Sequence, residues 1–394
     1  MTLLPCVDRT EVTNSDTNTL ILLNSLTVGG SEKKAVFLAN DLVGRVPRVV
    51  LAYLNEPNSL LKHVQPGVVT ACLDRKGKFS IGTLYKLRKL IQQHRIRTVF
   101  AVNLYPALYA SLVKIATFDR SFRLVATVNT TDPASSRQRR QMLLYQNVLR
   151  YADSIVFGAE FQRDLWTRRY PHLSRNNSTY VLYNGVDPSK FCRADFDMDD
   201  SVFKPAARYV LGTVGKLRPE KSQIEVVRAV HLLRAREIDV GAMLIGDGPE
   251  RSRIEAEIRD LGVEDQVRVI GEVDDVRPYL AALDFFVLPS VTETFSNATL
   301  EAMAMACPIA ATRVGGMQEM LQFGGGFTYQ PGDLNALCDQ LSVFLTDKSM
   351  LMKLGEQARR AVVENFSWNS MVDNYIRIAV GSPGNDATIS ATNP

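Results

Sequence analysis

The sequence is poor in the residues that build metal sites and disulfides. Its five cysteines (Cys6, Cys72, Cys192, Cys307, Cys338) are scattered and include no C-x-x-C pair. That argues against a zinc site or a disulfide framework and fits a reducing compartment. The four histidines (His63, His94, His172, His231) are too dispersed along the chain for a histidine-rich metal site. No apolar run reaches the roughly 18–20 residues that span a bilayer, and the candidate Leu280–Pro289 is cut by Asp284. Met1–Val12 carries Asp8, Arg9 and Glu11 and has no long apolar core, so no secretory signal is expected there. What remains is the composition of a folded protein, 46% hydrophobic and 22% charged. At about 100–200 residues per domain, 394 residues predict two.

The formal charge of +4 conceals an asymmetry. Residues 1–190 hold 26 Lys/Arg against 13 Asp/Glu, and the remainder 20 against 29. A basic half predicts a partner of opposite sign: a membrane surface, an anionic substrate or nucleic acid.

Short apolar runs alternate with amphipathic stretches. Runs at Thr19–Leu23, Val49–Tyr53, Thr98–Val102 and Leu124–Val128 form one series, continued by Ser154–Phe157 and Tyr180–Leu182. Val210–Val214, Ala242–Ile245, Val267–Ile270, Phe285–Leu288 and Ile309–Thr312 form a second. Near-continuous apolar strands separated by helices predict two parallel sheets covered on both faces. The fold class is therefore α/β, with two Rossmann-like doubly wound domains. Asn184–Pro205, with its Asn-Gly turn signal and the acidic run Asp195–Asp200, reads as the connection between them. The boundaries are 1–185, a linker at 186–205, 206–366, a helix at 367–380 capped by Ser367, and a flexible tail at 381–394.

Four segments carry chemistry. In Pro289–Gly316 a strand ends, a polar loop follows, and a helix begins near Ala298 with Ser296 or Asn297 as its cap. A helix start beyond the carboxyl end of a parallel strand suits phosphate. Glu293 in the loop and Glu301 in the second turn cannot aid a phosphate. Hydroxyls are their natural targets, which points to a nucleotide sugar, with Glu301 on ribose and Glu293 on the hexose. In Gly212–Lys221 a strand runs into Gly215, where the backbone can approach a ligand, and then into Lys216, Arg218 and Lys221, cations able to neutralise a diphosphate. Leu26–Lys34 places Gly29 and Gly30 at a strand–turn–helix corner without G-x-G-x-x-G or G-K-[ST]. In Val125–Pro133, Asn129 ends a strand.

Together these segments resemble glycosyltransferase family 4, the retaining nucleotide-sugar transferases of GT-B fold. The likeness runs from Gly29-Gly30-Ser31-Glu32 through Val181–Phe191, Gly215–Lys221 and I-G-D-G-P-E (Ile245–Glu250) to Glu293, Glu301 and Phe366–Tyr375. The resemblance implies that Gly29 and Gly30 lie against the donor phosphates, that Lys216 and Lys221 bind the diphosphate, and that Glu301 holds the ribose with Glu293 near the donor sugar. It also implies that Phe295, Ser296, Asn297 and Thr299 form the helix-start loop meeting phosphate, and that Val273 contacts the base through its backbone. Two positions depart from the pattern. Asn129 stands where the family often has histidine, keeping hydrogen bonding but not titration near neutrality. Ala306 replaces a glycine.

The expected reaction moves a hexose from a nucleotide diphosphate to an acceptor hydroxyl with retention, in a cleft that closes on the donor. Lys216, Lys221 and Glu293 are the catalytic candidates. No metal or other cofactor is expected, and Asp195, Asp197 and Asp199 read as solvated acids. The basic amphipathic stretch Ser135–Arg150 is expected to rest on anionic lipid. A cytoplasmic protein peripheral to the membrane follows, acting on a lipid-linked or growing oligosaccharide and not on nucleic acid. The rival readings are a GT-B-fold nucleotide-sugar epimerase and a non-catalytic nucleotide-sugar sensor.

Overall fold

The computed structural model describes residues 17–27, 29–77, 79–116, 121–129, 146–176, 178–193, 196 and 204–381. Two compact units are formed. The first comprises the chain up to Gly158, Gln162–Leu182 and the helix from Met371; the second comprises Ala159–Phe161 and Tyr183–Ser370.

The first unit is built on β1 (Thr19–Leu23), β2 (Val49–Tyr53), β3 (Val68–Cys72), β4 (Thr98–Val102), β5 (Arg123–Val128), β6 (Ser154–Phe157) and β7 (Ser178–Val181). They form one parallel sheet in the order β3-β2-β1-β4-β5-β6-β7. β1, β2 and β4 are buried along their whole length. Their runs of Leu, Val, Ile and Phe suit strands covered on both faces.

The second unit repeats the plan with β8 (Tyr209–Val214), β9 (Val240–Ile245), β10 (Val267–Gly271), β11 (Phe285–Leu288), β12 (Ile309–Thr312) and β13 (Gly326–Tyr329). Their order is β10-β9-β8-β11-β12-β13, again parallel. Alternate residues feed two apolar layers: Val210, Phe286 and Leu288 pack with Leu300 and Met303 on one side, and Leu211, Phe285 and Val287 with Val230 and Leu341 on the other.

In both sheets the chain starts in the interior, winds to one edge and returns to the other side of its first strand. The reversal lies between β1 and β4 in the first sheet and between β8 and β11 in the second. Ligands of open α/β sheets bind beyond the carboxyl ends of strands at such reversals.

Two strands escaped the sequence reading, β3 and β13. Both are sheet edges, where exposure removes the continuous apolar signature; β3 has no fully buried residue. The stretch read as beginning a linker at Asn184 is packed into the second unit. Val186 pairs with the backbone of Phe366 and Trp368 (3.0 Å each). The Arg359 guanidinium donates to the carbonyls of Pro188 (3.1 Å) and Phe191 (2.8 Å). An irregular segment needs such donors once its carbonyls leave water. The acidic run beyond it lies mostly outside the described residues. The final helix is Trp368–Val380, and Ser367 caps it by accepting from the Ser370 amide at 3.2 Å. From Met371 it belongs to the first unit: Tyr375 meets Phe100 edge-on at 5.4 Å, and Thr98 Oγ1 donates to the Ala379 carbonyl at 2.9 Å.

Candidate functional site

The second unit brings most of the sequence candidates onto two loops that flank its reversal. After β8 the chain passes Gly215 and Lys216, forms a tight turn at Pro219–Lys221, and enters the helix Ile224–Ala235. After β11 it passes Glu293 and enters the helix Asn297–Ala304. The amide of Val291 donates to the Glu220 carbonyl at 2.9 Å, tying one loop to the other. Lys221 Nζ forms an ion pair with Glu293 across this junction. Lys216 is exposed and pairs with no carboxylate among the described residues.

The backbone of the lysine loop is braced by the turn after β9. Leu217 donates to the Asp247 carbonyl at 3.0 Å, and Glu250 donates to the Leu217 carbonyl at 3.2 Å. A Cβ on Gly246 would lie 2.1 Å from the Gly215 carbonyl oxygen, and one on Gly248 would lie 2.3 Å from that of Leu217. I-G-D-G-P-E therefore needs both glycines for close approach. The Glu293 loop is pressed as closely from the other side. A Cβ on Gly315 would meet the Glu293 carbonyl oxygen at 1.8 Å.

Ser296 caps the helix, its Oγ accepting from the Thr299 amide at 3.2 Å. The amides of Asn297 and Ala298, at the positive end of the helix, donate to no such cap among the described residues. The Asn297 side chain is held by Asn184, whose Nδ2 donates to its Oδ1 at 2.7 Å. Phe295 is buried, stacked on Tyr183 at 5.0 Å and edge-on to Phe366 at 5.5 Å, so its ring supports the loop from below. The Thr299 side chain is wholly buried as well. Glu301 follows in the second turn, half-buried. Val273 lies beyond β10 and packs against the core.

A family model described as Glycosyl transferases group 1 matches residues 208–347, which include both loops. A second, described as Glycosyltransferase Family 4, matches residues 28–190, from the glycine pair onward. Each half of the chain thus matches a glycosyltransferase family model. Among its relatives, N-acetyl-alpha-D-glucosaminyl L-malate synthase of Bacillus anthracis is 32% identical over 51% of this chain and 53% of its own. A lipopolysaccharide core biosynthesis glycosyltransferase, LpsE of Rhizobium meliloti, is 32% identical over 45% of this chain and 52% of its own. The matches thus span about half the length of these curated relatives. The solved structure of Anabaena HepE in complex with UDP superposes with a TM-score of 0.78 at 18% identity, covering 93% of this chain and all of that one. WaaG, a glycosyltransferase involved in lipopolysaccharide biosynthesis, gives 0.71 at 15%, covering 92% and 100%. At these identities the likeness is one of fold, the pair of parallel α/β units of GT-B glycosyltransferases.

The first unit holds the remaining candidates. Gly29 and Gly30 open the helix Gly30–Leu42 beyond β1, and Asn129 lies just past β5. Glu32 folds back over this helix start. A Cβ on Gly29 would lie 2.3 Å from its carboxylate oxygen. Burial holds the Glu32 carboxyl above its usual range, opposed by a hydrogen bond from its own amide.

Sequence reasoning missed the residues that brace the lysines. Gln223 is buried and donates to the Lys216 carbonyl at 3.1 Å. Glu225 is buried behind it; its Oε1 accepts from Ser222 Oγ at 3.1 Å and its Oε2 has no partner. Burial pushes its pKa up, against the Ser222 hydrogen bond and the more distant Arg228 charge. Ser222 holds a left-handed conformation (φ 48°) that ends the lysine turn. A polar residue beside a candidate cation was the only available signal. Among the described residues no three His, Cys, Asp or Glu side chains gather as metal ligands; the Asp195–Asp199 pairs lie outside those residues, as does most of Ser135–Arg150.

Proposed function

We propose that this chain is a family-4 glycosyltransferase that moves a hexose from a nucleotide-diphosphate sugar to an acceptor hydroxyl with retention of anomeric configuration. One observation carries the reading: Lys216 and Lys221 on one loop, and Glu293 with the Asn297 helix start on the next, share a single sheet reversal and are hydrogen-bonded together. That set offers cations and peptide amides to a diphosphate and carboxylates to sugar hydroxyls.

The hard step is departure of the nucleotide diphosphate. As the anomeric carbon–oxygen bond breaks, negative charge gathers on the phosphate. Fixed ammonium groups and oriented amides stabilise that charge best when water is excluded. Arrival of the phosphate draws Lys221 from Glu293, which frees the carboxylate for a hexose hydroxyl. Glu301 takes the ribose. The acceptor oxygen attacks from the face the phosphate leaves, and its proton passes to that phosphate. No step is routed through a metal, because the lysines and amides supply the positive charge.

A uridine diphosphate sugar is the first donor to test, since structures of HepE contain UDP and UDP-glucose. The lipopolysaccharide relatives favour a lipid-linked or growing oligosaccharide as acceptor, in polysaccharide or glycolipid synthesis at the inner membrane face. Screening nucleotide sugars for thermal stabilisation should give one with a clear rise in Tm. Free nucleotide should then appear only when acceptor is added, and the product linkage should keep the donor's anomeric form by NMR. If no nucleotide sugar raises Tm, or if nucleotide is released equally without acceptor, the reading fails.

A further inference from the structure

The carboxyl edge of the first sheet holds a cation that the proposed reaction leaves unused. Backbone pairing runs on past the strand ends there. The Asn55 amide donates to the Asn24 carbonyl at 2.9 Å, and the Arg75 amide to that of Leu54 at 2.8 Å. Asn24, Asn55 and Arg75 therefore stand side by side beyond β1, β2 and β3, at the end of an open α/β sheet where ligands bind. Tyr105 joins them from beyond β4. Asn103 takes a left-handed conformation (φ 72°), which asparagine tolerates, and the helix Leu104–Ala116 starts at once.

The half-buried Arg75 side chain is fixed on one side and open on the other. Its Nε donates to Asn55 Oδ1 at 3.2 Å, and its guanidinium lies over the Tyr105 ring, 4.3 Å from the centroid. Both supports are themselves held. Asn55 Nδ2 donates to Asn24 Oδ1 at 3.5 Å, and the Tyr105 ring leans on the buried Tyr109 at 5.8 Å. The terminal nitrogens Nη1 and Nη2 have no hydrogen-bond or ion-pair partner among the described residues. The carboxylates nearest in sequence are engaged elsewhere. Asp74 pairs with Lys76 at 2.9 Å and with Lys86 at 3.9 Å, and Glu56 accepts from Asn58 at 3.1 Å. An arginine that serves only the fold spends its terminal nitrogens on the chain, as Arg359 does on the carbonyls of Pro188, Phe191 and Ala304.

We propose that Arg75 is an anion-binding subsite for the acceptor, its two terminal nitrogens gripping paired oxygens of a phosphate or carboxylate that the acceptor carries. A guanidinium whose plane is set by a ring, with both terminal nitrogens open, meets an oxyanion through two parallel hydrogen bonds; a lysine offers only a point charge. Phosphate and carboxylate share this chemistry, so the acceptor is a phosphorylated or a uronic sugar. The inference rests on the proposed transfer only for its purpose, because the anion is bound without donor or turnover.

The test is isothermal titration of the full chain carrying K216A/K221A, which takes away the proposed diphosphate lysines, with methyl phosphate, glucuronate and neutral methyl glucoside. At least one anion should bind about tenfold or more tightly than methyl glucoside, the usual gain from hydrogen bonds to a charged group. Preference for methyl phosphate assigns a phosphorylated acceptor, and preference for glucuronate a uronic one. R75Q should abolish the preference. R75K keeps the charge without the fork and should weaken anion binding about fivefold or more. It also decides the matter if R75Q fails to fold, which Tm reports. No preference for either anion, or unchanged anion binding by folded R75Q or R75K, overturns the proposal. If the preference stands while the chain with its lysines intact neither binds nor turns over any nucleotide sugar, the proposed function fails and this subsite remains.

Discussion

The two units solve the same topological problem with different materials. Each winds from an interior first strand, and each plants a carboxylate in the first turn of the next helix, the half-buried Glu32 in one and the buried Glu225 in the other. Around these matching points they diverge. The first unit offers a glycine pair and backbone amides, with ordinary extended geometry at Gly29 (φ −157°). The second offers charged side chains on a loop locked by neighbouring glycines. The lesson is that one reversal presents peptide, which tolerates imprecision in side chains, and the other presents ammonium groups, whose placement needs bracing from three directions.

The largest effect that would sharpen this contrast is on turnover. Lys221→Ala and Lys216→Ala should each lower kcat about 100–1,000-fold, the usual loss when a fixed donor to a developing negative charge is removed. Asn129→Ala in the first unit should cost less than either. Equal or greater loss at Asn129, measured in the same transfer assay, would break the comparison.

Next in size is a pair of methyl additions. Gly246→Ala must place a Cβ against the Gly215 carbonyl at a positive φ of 135°, and should destabilise the second unit by about 2–4 kcal/mol. Gly29→Ala meets only the end of the flexible Glu32 side chain and should cost about 1 kcal/mol or less. Denaturant midpoints of the two variants read the difference directly.

The smallest effect concerns the paired carboxylates. Burial raises the folded-state pKa of both Glu32 and Glu225 above the ordinary 4.5. The folded protein then binds their protons more tightly than the unfolded chain does. Their full stability is present below the unfolded value and is lost as pH rises through the raised one. Glu225→Gln should therefore raise Tm by about 2–4 °C at neutral pH, with the gain fading as pH falls below the carboxylate range. Glu32→Gln, less buried, should gain less. A gain that grew on acidification would contradict the assigned cause.

Much of this architecture was readable from sequence because parallel strands advertise themselves. Thr19–Leu23, Val49–Tyr53, Thr98–Val102 and Phe285–Leu288 are uninterrupted apolar runs, and each is a strand with those bounds. β3 and β13 were not readable, since an edge strand is half solvated and needs no such run. The motif residues of the second unit were legible because charge, glycine and a helix cap coincide in short windows. Gln223 and Asn184 were not. Each acts through one hydrogen bond to a distant or buried backbone or side-chain group, and nothing in local spacing marks that partner. The placement of Phe295 was equally hidden: an aromatic cluster drawn from Tyr183 and Phe366 encloses its ring.

The helix Trp368–Val380 sets an order on biosynthesis. The sheet it covers is finished by residue 181, yet Phe100 and Thr98 must wait for Tyr375 and Ala379, nearly two hundred residues later. Domains are generally completed as they emerge from the ribosome, amino terminus first. Here the earlier half stays unsealed while the later half is translated, and it closes only when the last helix arrives.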